Sequence, residues 1–137
     1  MRVSTKGRYA LRVMIDLAQN GGDNCVPLSE IAKRQAVSVK YLEAIVSILN
    51  KAGMVTSYRG KEGGYKLSRT PEEYNVNEIL TLTEGSLAPV VCLENGDGTQ
   101  CSRAYSCMTL PMWKKLDSII EDYLNKVTLK DLIDGNV

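Results

Sequence analysis

Residues 29–68 constrain the fold more than any other stretch, because helix and hairpin signals follow one another there without slack. Ser29 precedes EIAKRQ, a short helical pattern with Ile31 and Ala32 facing inward. Residues 36–38, AVS, make a tight turn, and Ser38 is placed to cap a second helix by accepting a first-turn N–H. That helix, VKYLEAIVSILNKAG, carries Leu42, Ile45, Val46 and Leu49 at i, i+3, i+4 and i+7, and Gly53 ends it. Met54–Tyr58 and Tyr65–Ser68 then read as strands on either side of a glycine-rich tip, RGKEGG. Helix, turn, helix and hairpin in this order form a winged helix-turn-helix, whose second helix offers its first residues to base edges. Those residues are Ser38, Lys40, Tyr41 and Ala44. The tip offers Arg59 and Lys61 beside Gly60, where a bare backbone can approach another surface and an arginine suits a narrow minor groove.

The charge distribution points the same way. Residues 1–70 hold twelve Lys/Arg against five Asp/Glu, a balance of +7, whereas residues 71–137 hold five against eleven, a balance of −6. The net charge of +1 conceals this split. A basic half joined to an acidic half implies that the first half meets a polyanion. We therefore expect two regions: a DNA-binding unit over 1–70, and a second over 71–137.

Flanking segments supply the rest of the fold. Ala10, Leu11, Val13, Met14, Leu17 and Ala18 predict an amphipathic helix over 5–20, capped by Ser4 or Thr5 and stopped by GGDN. VNEILTLTEG predicts another short helix, with Val76, Ile79, Leu80 and Leu82 apolar. Pro111 can open a long helix, whose apolar positions run Trp113, Leu116, Ile119, Ile120, Tyr123, Leu124 and Val127. Because helix-turn-helix proteins usually bind as dimers, we expect Trp113, Leu116, Ile120, Tyr123 and Leu124 to form a homodimer surface. TLKDLIDGN reads as a short capped helix that packs back. The expected architecture is mainly α with a small β-hairpin wing: a winged helix-turn-helix plus a long C-terminal dimerisation helix.

Between the last two regions lies VCLENGDGTQCSRAYSCMTLPMW, residues 91–113, with three of the four cysteines. Three soft thiolate donors, Cys92, Cys101 and Cys107, in a Gly/Asn/Asp/Ser-rich loop suit a metal or iron–sulfur site. Cys25 stands apart in a short connection and reads as a small apolar filler. Histidine is absent, which excludes Ser-His-Asp and Cys-His nucleophile arrangements and mixed Cys/His zinc sites. No acidic cluster marks a catalytic pocket, and an enzyme is not expected. Charges interrupt the apolar positions of residues 1–19 and no small-residue cleavage site follows, so the expected location is the cytoplasm, where lasting disulfides are rare.

Beyond these readings, MRVSTKGRYALRVMIDLA, PLSEIAKRQAVSVKYLEAIVSILNKAGMV, RGKEGGYKLSR, the cysteine trio before a Trp-bearing helix and the closing VTLKDLID strongly resemble the IscR-type iron–sulfur cluster regulators. The resemblance spans essentially the whole chain. It implies a homodimeric bacterial transcription regulator that binds double-stranded operator DNA and holds an iron–sulfur cluster on Cys92, Cys101 and Cys107, two-iron in preference to four-iron. It places DNA reading on Ser38, Lys40, Tyr41 and Ala44 and on Arg59 and Gly60 of the wing, with Glu43 as the acid that tunes promoter choice with cluster state. This chain departs from the pattern at two points. Ala44 stands where an amide pairs with adenine, and can offer only apolar contact, for instance to a thymine methyl. Leu110 stands where a histidine commonly supplies the fourth ligand. That ligand then comes from Glu94, Asp97, Ser102, Tyr105, Thr109, Cys25, a partner chain or a small molecule. Nitric-oxide-sensing relatives use a carboxylate near the start of the partner's first helix; Arg8 occupies that place here. Three alternatives stay open: a metal-free thiol switch in which Cys101 and Cys107 form a disulfide or a sulfenic acid, a nitric-oxide-sensing cluster regulator, and a scaffold in which zinc is held by the three loop cysteines and an oxygen ligand.

Overall fold

The computed structural model of the chain describes residues 2–137. Helix α1 (Thr5–Asn20) begins where Ser4 accepts the Gly7 N–H, and it buries Ala10, Val13, Met14 and Leu17 along one face. Helix α2 (Leu28–Gln35) starts two residues earlier than its serine signal suggests, with Pro27 rather than Ser29 at the cap position. It ends at Ala36 in the left-handed region (φ 55°), and the Val37 N–H closes the turn on Ala32 O at 3.1 Å. A small side chain keeps the cost of that conformation to about 1 kcal/mol. Helix α3 (Val39–Lys51) follows directly, capped by Ser38, and buries Leu42, Ile45, Val46 and Leu49 as its spacing predicts.

Strands β1 (Val55–Tyr58) and β2 (Gly64–Leu67) pair antiparallel, Val55 opposite Leu67 and Tyr58 opposite Gly64. The outer edge of β2 is met at one residue. Val26 exchanges two backbone bonds with Tyr65, at 2.8 and 2.9 Å, so the α1–α2 connection adds a one-residue third strand. Gly64 (φ 149°) permits this approach, since a Cβ there would collide with the Val26 carbonyl.

Helix α4 (Val76–Glu84) carries a full capping box between Asn75 and Glu78. The residue before that cap pair, Tyr74, is fully buried and ties the hairpin to α4. Its hydroxyl accepts the N–H groups of Ser68 and Arg69 and donates to Met54 O at 2.6 Å. Arg69 lies over the ring, 4.3 Å from its centroid, and pairs with Glu78 at 2.9 Å. Helix α5 (Leu110–Lys126) packs along α4, and α6 (Leu129–Asp134), capped by Thr128, returns Leu129 to the core. Tyr74, Ile79 and Leu129 share that core with residues of α1 and α3, so packing continues across position 70.

Asp16 is the one buried charged side chain among the described residues, at 2% exposure. Arg34 grips it with two bonds, at 2.7 and 3.0 Å, while Gln35 and Asn20 also donate to its carboxylate. Burial pushes this carboxyl up, but the hydrogen bonds from Arg34, Gln35 and Asn20 and the Arg34 charge outweigh it and hold the carboxyl below its ordinary value. The network locks α1 to the end of α2, and through it fixes where α3 begins. No described helix is long and apolar enough to cross a membrane.

Candidate nucleic-acid interface and thiol loop

The start of α3 turns one side to solvent. Ser38, Lys40, Glu43 and Ala44 are exposed, and Tyr41 is half-buried. Ser38 Oγ accepts the Tyr41 N–H at 3.1 Å, which settles the start of the helix and leaves Lys40, Glu43 and Ala44 on the outer side. Tyr41 turns back toward α1, where its ring meets Tyr9 edge-on with centroids 5.9 Å apart. Arg12 in turn lies 4.7 Å over the Tyr9 ring. The sequence offered no signal for this pair, because Tyr9 and Arg12 fall on the polar side of α1.

At the wing, Arg59, Gly60 and Lys61 are exposed at the hairpin tip. Gly60 has φ 106°, and its carbonyl accepts the Gly63 N–H at 3.0 Å, so the tip is a closed turn rather than a loose loop. Lys66 lies beside the Tyr58 ring and donates to Asp23 O. Among the described residues Lys40, Arg59 and Lys61 enter no ion pair. Unpaired cations on a capped helix start and a stiff hairpin tip are chemically suited to phosphate and base-edge contacts.

The thiol loop leaves α4 at Gly85 and enters α5 at Leu110. Leu93 and Leu110 are buried, and both approach Gly98, whose bare Cα leaves room for the Leu110 side chain. Position 110 is thus an apolar plug of the loop, which accounts physically for leucine there. Asp97 accepts the Thr99 hydroxyl and N–H, and these bonds hold its carboxyl below the ordinary value.

All four cysteines are unpaired thiols; Cys92 and Cys101 are exposed, Cys107 and Cys25 half-buried. Cys92 and Cys101 line one hollow of about 190 Å³ with Asn95, Gly96 and Gln100. Cys107 stands outside that lining, 3.4 Å from the Thr109 hydroxyl. The Thr109 hydroxyl, and the backbone N–H groups of Thr109 and Leu110, lower its thiol pKa. Three free thiols within one loop fit the donor chemistry of an iron–sulfur group. The loop's conformation gathers two of them, and among the described residues no three Cys, Asp or Glu side chains converge as a metal site.

Of the residues expected on a dimer surface, Leu116 and Tyr123 are exposed, while Trp113, Ile120 and Leu124 are half-buried. Leu124 packs on Val76, Leu80 and Val127, inside the chain. The outward apolar line is Met112, Leu116, Ile119 and Tyr123, at 54%, 38%, 52% and 53% exposure.

Comparison with known proteins gives these features relatives. Residues 3–135 match the model of the Rrf2 family, described as an iron-dependent transcriptional regulator. The HTH-type transcriptional regulator IscR of Vibrio campbellii is 38% identical over 136 residues, covering 99% of this chain and 79% of that protein. Among solved structures, CymR, the global cysteine regulator of B. subtilis, superposes with a TM-score of 0.79 at 35% identity, covering 98% of both chains. IscR of T. potens does so with a TM-score of 0.77 at 37% identity, covering 100% of this chain and 89% of the other. These relatives are named as regulators, not as enzymes.

Proposed function

This chain belongs to the Rrf2 family of DNA-binding transcriptional regulators, and from that premise we propose that it is a cytoplasmic homodimer whose operator binding responds to an iron–sulfur cluster. Residues 1–70 form the DNA-binding unit, and 71–137 the cysteine loop and dimerisation region. Ser38, Lys40, Tyr41, Glu43 and Ala44 read the major groove, and Arg59, Gly60 and Lys61 enter the neighbouring minor groove. Cys92, Cys101 and Cys107 would hold the cluster, with a fourth ligand from another source, and the cluster supplies a group sensitive to oxidants and iron supply.

One observation carries the sensing half of this reading: the three thiols sit on the loop joining α4 to α5. At one end of that loop, Glu84 accepts the backbone N–H and the hydroxyl of Ser4, at the head of α1. At the other end stands the outward apolar line of α5. Met112, Leu116, Ile119 and Tyr123 repeat at four-, three- and four-residue steps, a narrow stripe suited to a partner helix. Lys114 and Lys115 lie toward one end of α5 and Glu121 and Asp122 toward the other, so two copies crossing antiparallel set opposite charges against each other.

Replacing Arg59 by alanine is expected to weaken binding to a duplex selected from a random-sequence library by about 1–3 kcal/mol. The affinity of the unaltered protein should fall steeply between 50 and 200 mM salt, on the order of 10³-fold. Fluorescence anisotropy titrations measure both; an Arg59→Ala protein with unchanged, salt-insensitive affinity contradicts the DNA assignments.

A second reading, a metal-free thiol switch, is favoured by the loop conformation, which brings two thiols to one hollow rather than three; the pair it brings there is Cys92 with Cys101, and not Cys101 with Cys107 as the sequence suggested. The similarity in fold to CymR of B. subtilis, which is named a global cysteine regulator, supports keeping this reading beside the first. Thiol titration before and after peroxide separates the two, because only the switch loses two thiols per chain without releasing iron.

A further inference from the structure

We infer that Tyr9 and Arg12 are positioning residues for base readout: they hold the Tyr41 ring at the DNA-facing start of α3. The inference rests on the reading of Tyr41 as a DNA contact. Among the reading residues named above on α3, Tyr41 alone is half-buried, and its ring is met from α1 by Tyr9, edge-on, at an interplanar angle of 89°. Arg12 covers the Tyr9 ring and also reaches α2, where its Nε donates to Gln35 Oε1 at 2.7 Å. Gln35 then donates through Nε2 to the buried Asp16 carboxylate at 2.9 Å. A continuous run of side chains therefore joins the buried Asp16 carboxylate to Tyr41 at the start of α3.

The placement of Gln35 adds a second reason. It is the last residue of α2, immediately before the left-handed Ala36 that sets the angle between α2 and α3. Arg12 thus grips the turn through Gln35 and the reading side chain through Tyr9. An unpacked tyrosine side chain samples several staggered χ1 rotamers, and losing that choice on binding weakens affinity. The Tyr9 edge fixes it in advance. Preorganisation of this kind changes discrimination between sequences, whereas a phosphate contact strengthens binding to all of them.

The full-length protein is titrated with two duplexes: one selected by the unaltered chain from a random-sequence library, and one of the same composition with shuffled sequence. Tyr9→Leu is expected to reduce the preference for the selected duplex by about threefold to tenfold, the range an edge-on aromatic pair supplies, and Arg12→Met by about twofold to fivefold, the range of a cation over a ring. Affinity for the shuffled duplex and the salt slope should be unchanged, and Tyr9→Phe, which keeps the ring, should behave as the unaltered chain. Arg12 is exposed, so its variant reports even if Tyr9→Leu unfolds. Full preference in Arg12→Met overturns the inference. So does an equal loss on both duplexes with a salt slope reduced by about one, which marks Arg12 as a phosphate contact, or a Tyr9→Phe as impaired as Tyr9→Leu. Tyr41→Ala separates the levels. If it keeps full preference, the reading of Tyr41 falls and this inference with it; if it loses preference while Arg12→Met does not, this inference alone falls.

Discussion

Asp16→Ala is expected to lower folding stability by about 3 kcal/mol, among the largest effects of any single substitution in the chain. The change strips a carboxylate with 2% exposure of the bonds it receives from Arg34, Gln35 and Asn20. It leaves the donors of Gln35 and Arg34 without their acceptor, and each unmet buried donor costs about 1–3 kcal/mol. Arg34 is partly exposed and recovers some hydration, which keeps the total nearer the lower end for a broken buried pair. The expected shift in thermal midpoint is roughly 10 °C at matched protein concentration. The pH dependence has a definite sign. The folded-state pKa of Asp16 lies below its unfolded value, so its stabilisation is present above about pH 4 and is lost as the pH falls through the folded value. The gap between the two proteins should therefore narrow in acid. Equal midpoints at pH 7 would contradict the account of this network.

The second large effect is on assembly. Leu116→Lys combined with Ile119→Lys is expected to turn a dimer into a monomer and to weaken binding to the selected duplex at least about 100-fold. Two linked half-site contacts gain a factor of roughly 10²–10⁴ over one, and a monomer forfeits it. Both side chains point outward, so the fold should survive, with unchanged helical content by circular dichroism. Sedimentation equilibrium reads the mass and anisotropy the affinity. A dimer that persists in the double variant would place the interface elsewhere.

Local signals made most of the architecture legible. Ser4 and Ser38 cap α1 and α3 as expected, because capping is settled within three residues, and Asn75 and Thr128 cap α4 and α6 by the same local chemistry. The winged helix was readable for the same reason: each element carries its own start, stop and period. What escaped was non-local. Asp16 lies among polar positions of α1, and only the arrival of Arg34 and Gln35, eighteen and nineteen residues later, makes its burial tolerable. Val26 gives no strand signal; it becomes one because β2 lies against it and Gly64 lets it in. The apolar stripe of α5 was visible as a whole, but periodicity alone cannot divide it. Packing on α4 does, drawing Leu124 inward and leaving Ile119 outside. The cysteine trio was evident from residue type, whereas the hollow shared by Cys92 and Cys101, and the apolar seat of Leu110, depend on how the loop closes.

An iron–sulfur group on the loop that governs DNA binding would leave a chemical trace in the protein and a change in its affinity. Protein purified without oxygen is assayed for iron and acid-labile sulfide, then titrated with the selected duplex before and after air exposure. Bound iron and sulfide are expected in the unaltered chain and none in a Cys92→Ala, Cys101→Ala, Cys107→Ala variant. Duplex affinity should change on air exposure only in the former. An iron-free, colourless protein whose triple variant binds and regulates as the unaltered chain does would contradict the cluster reading.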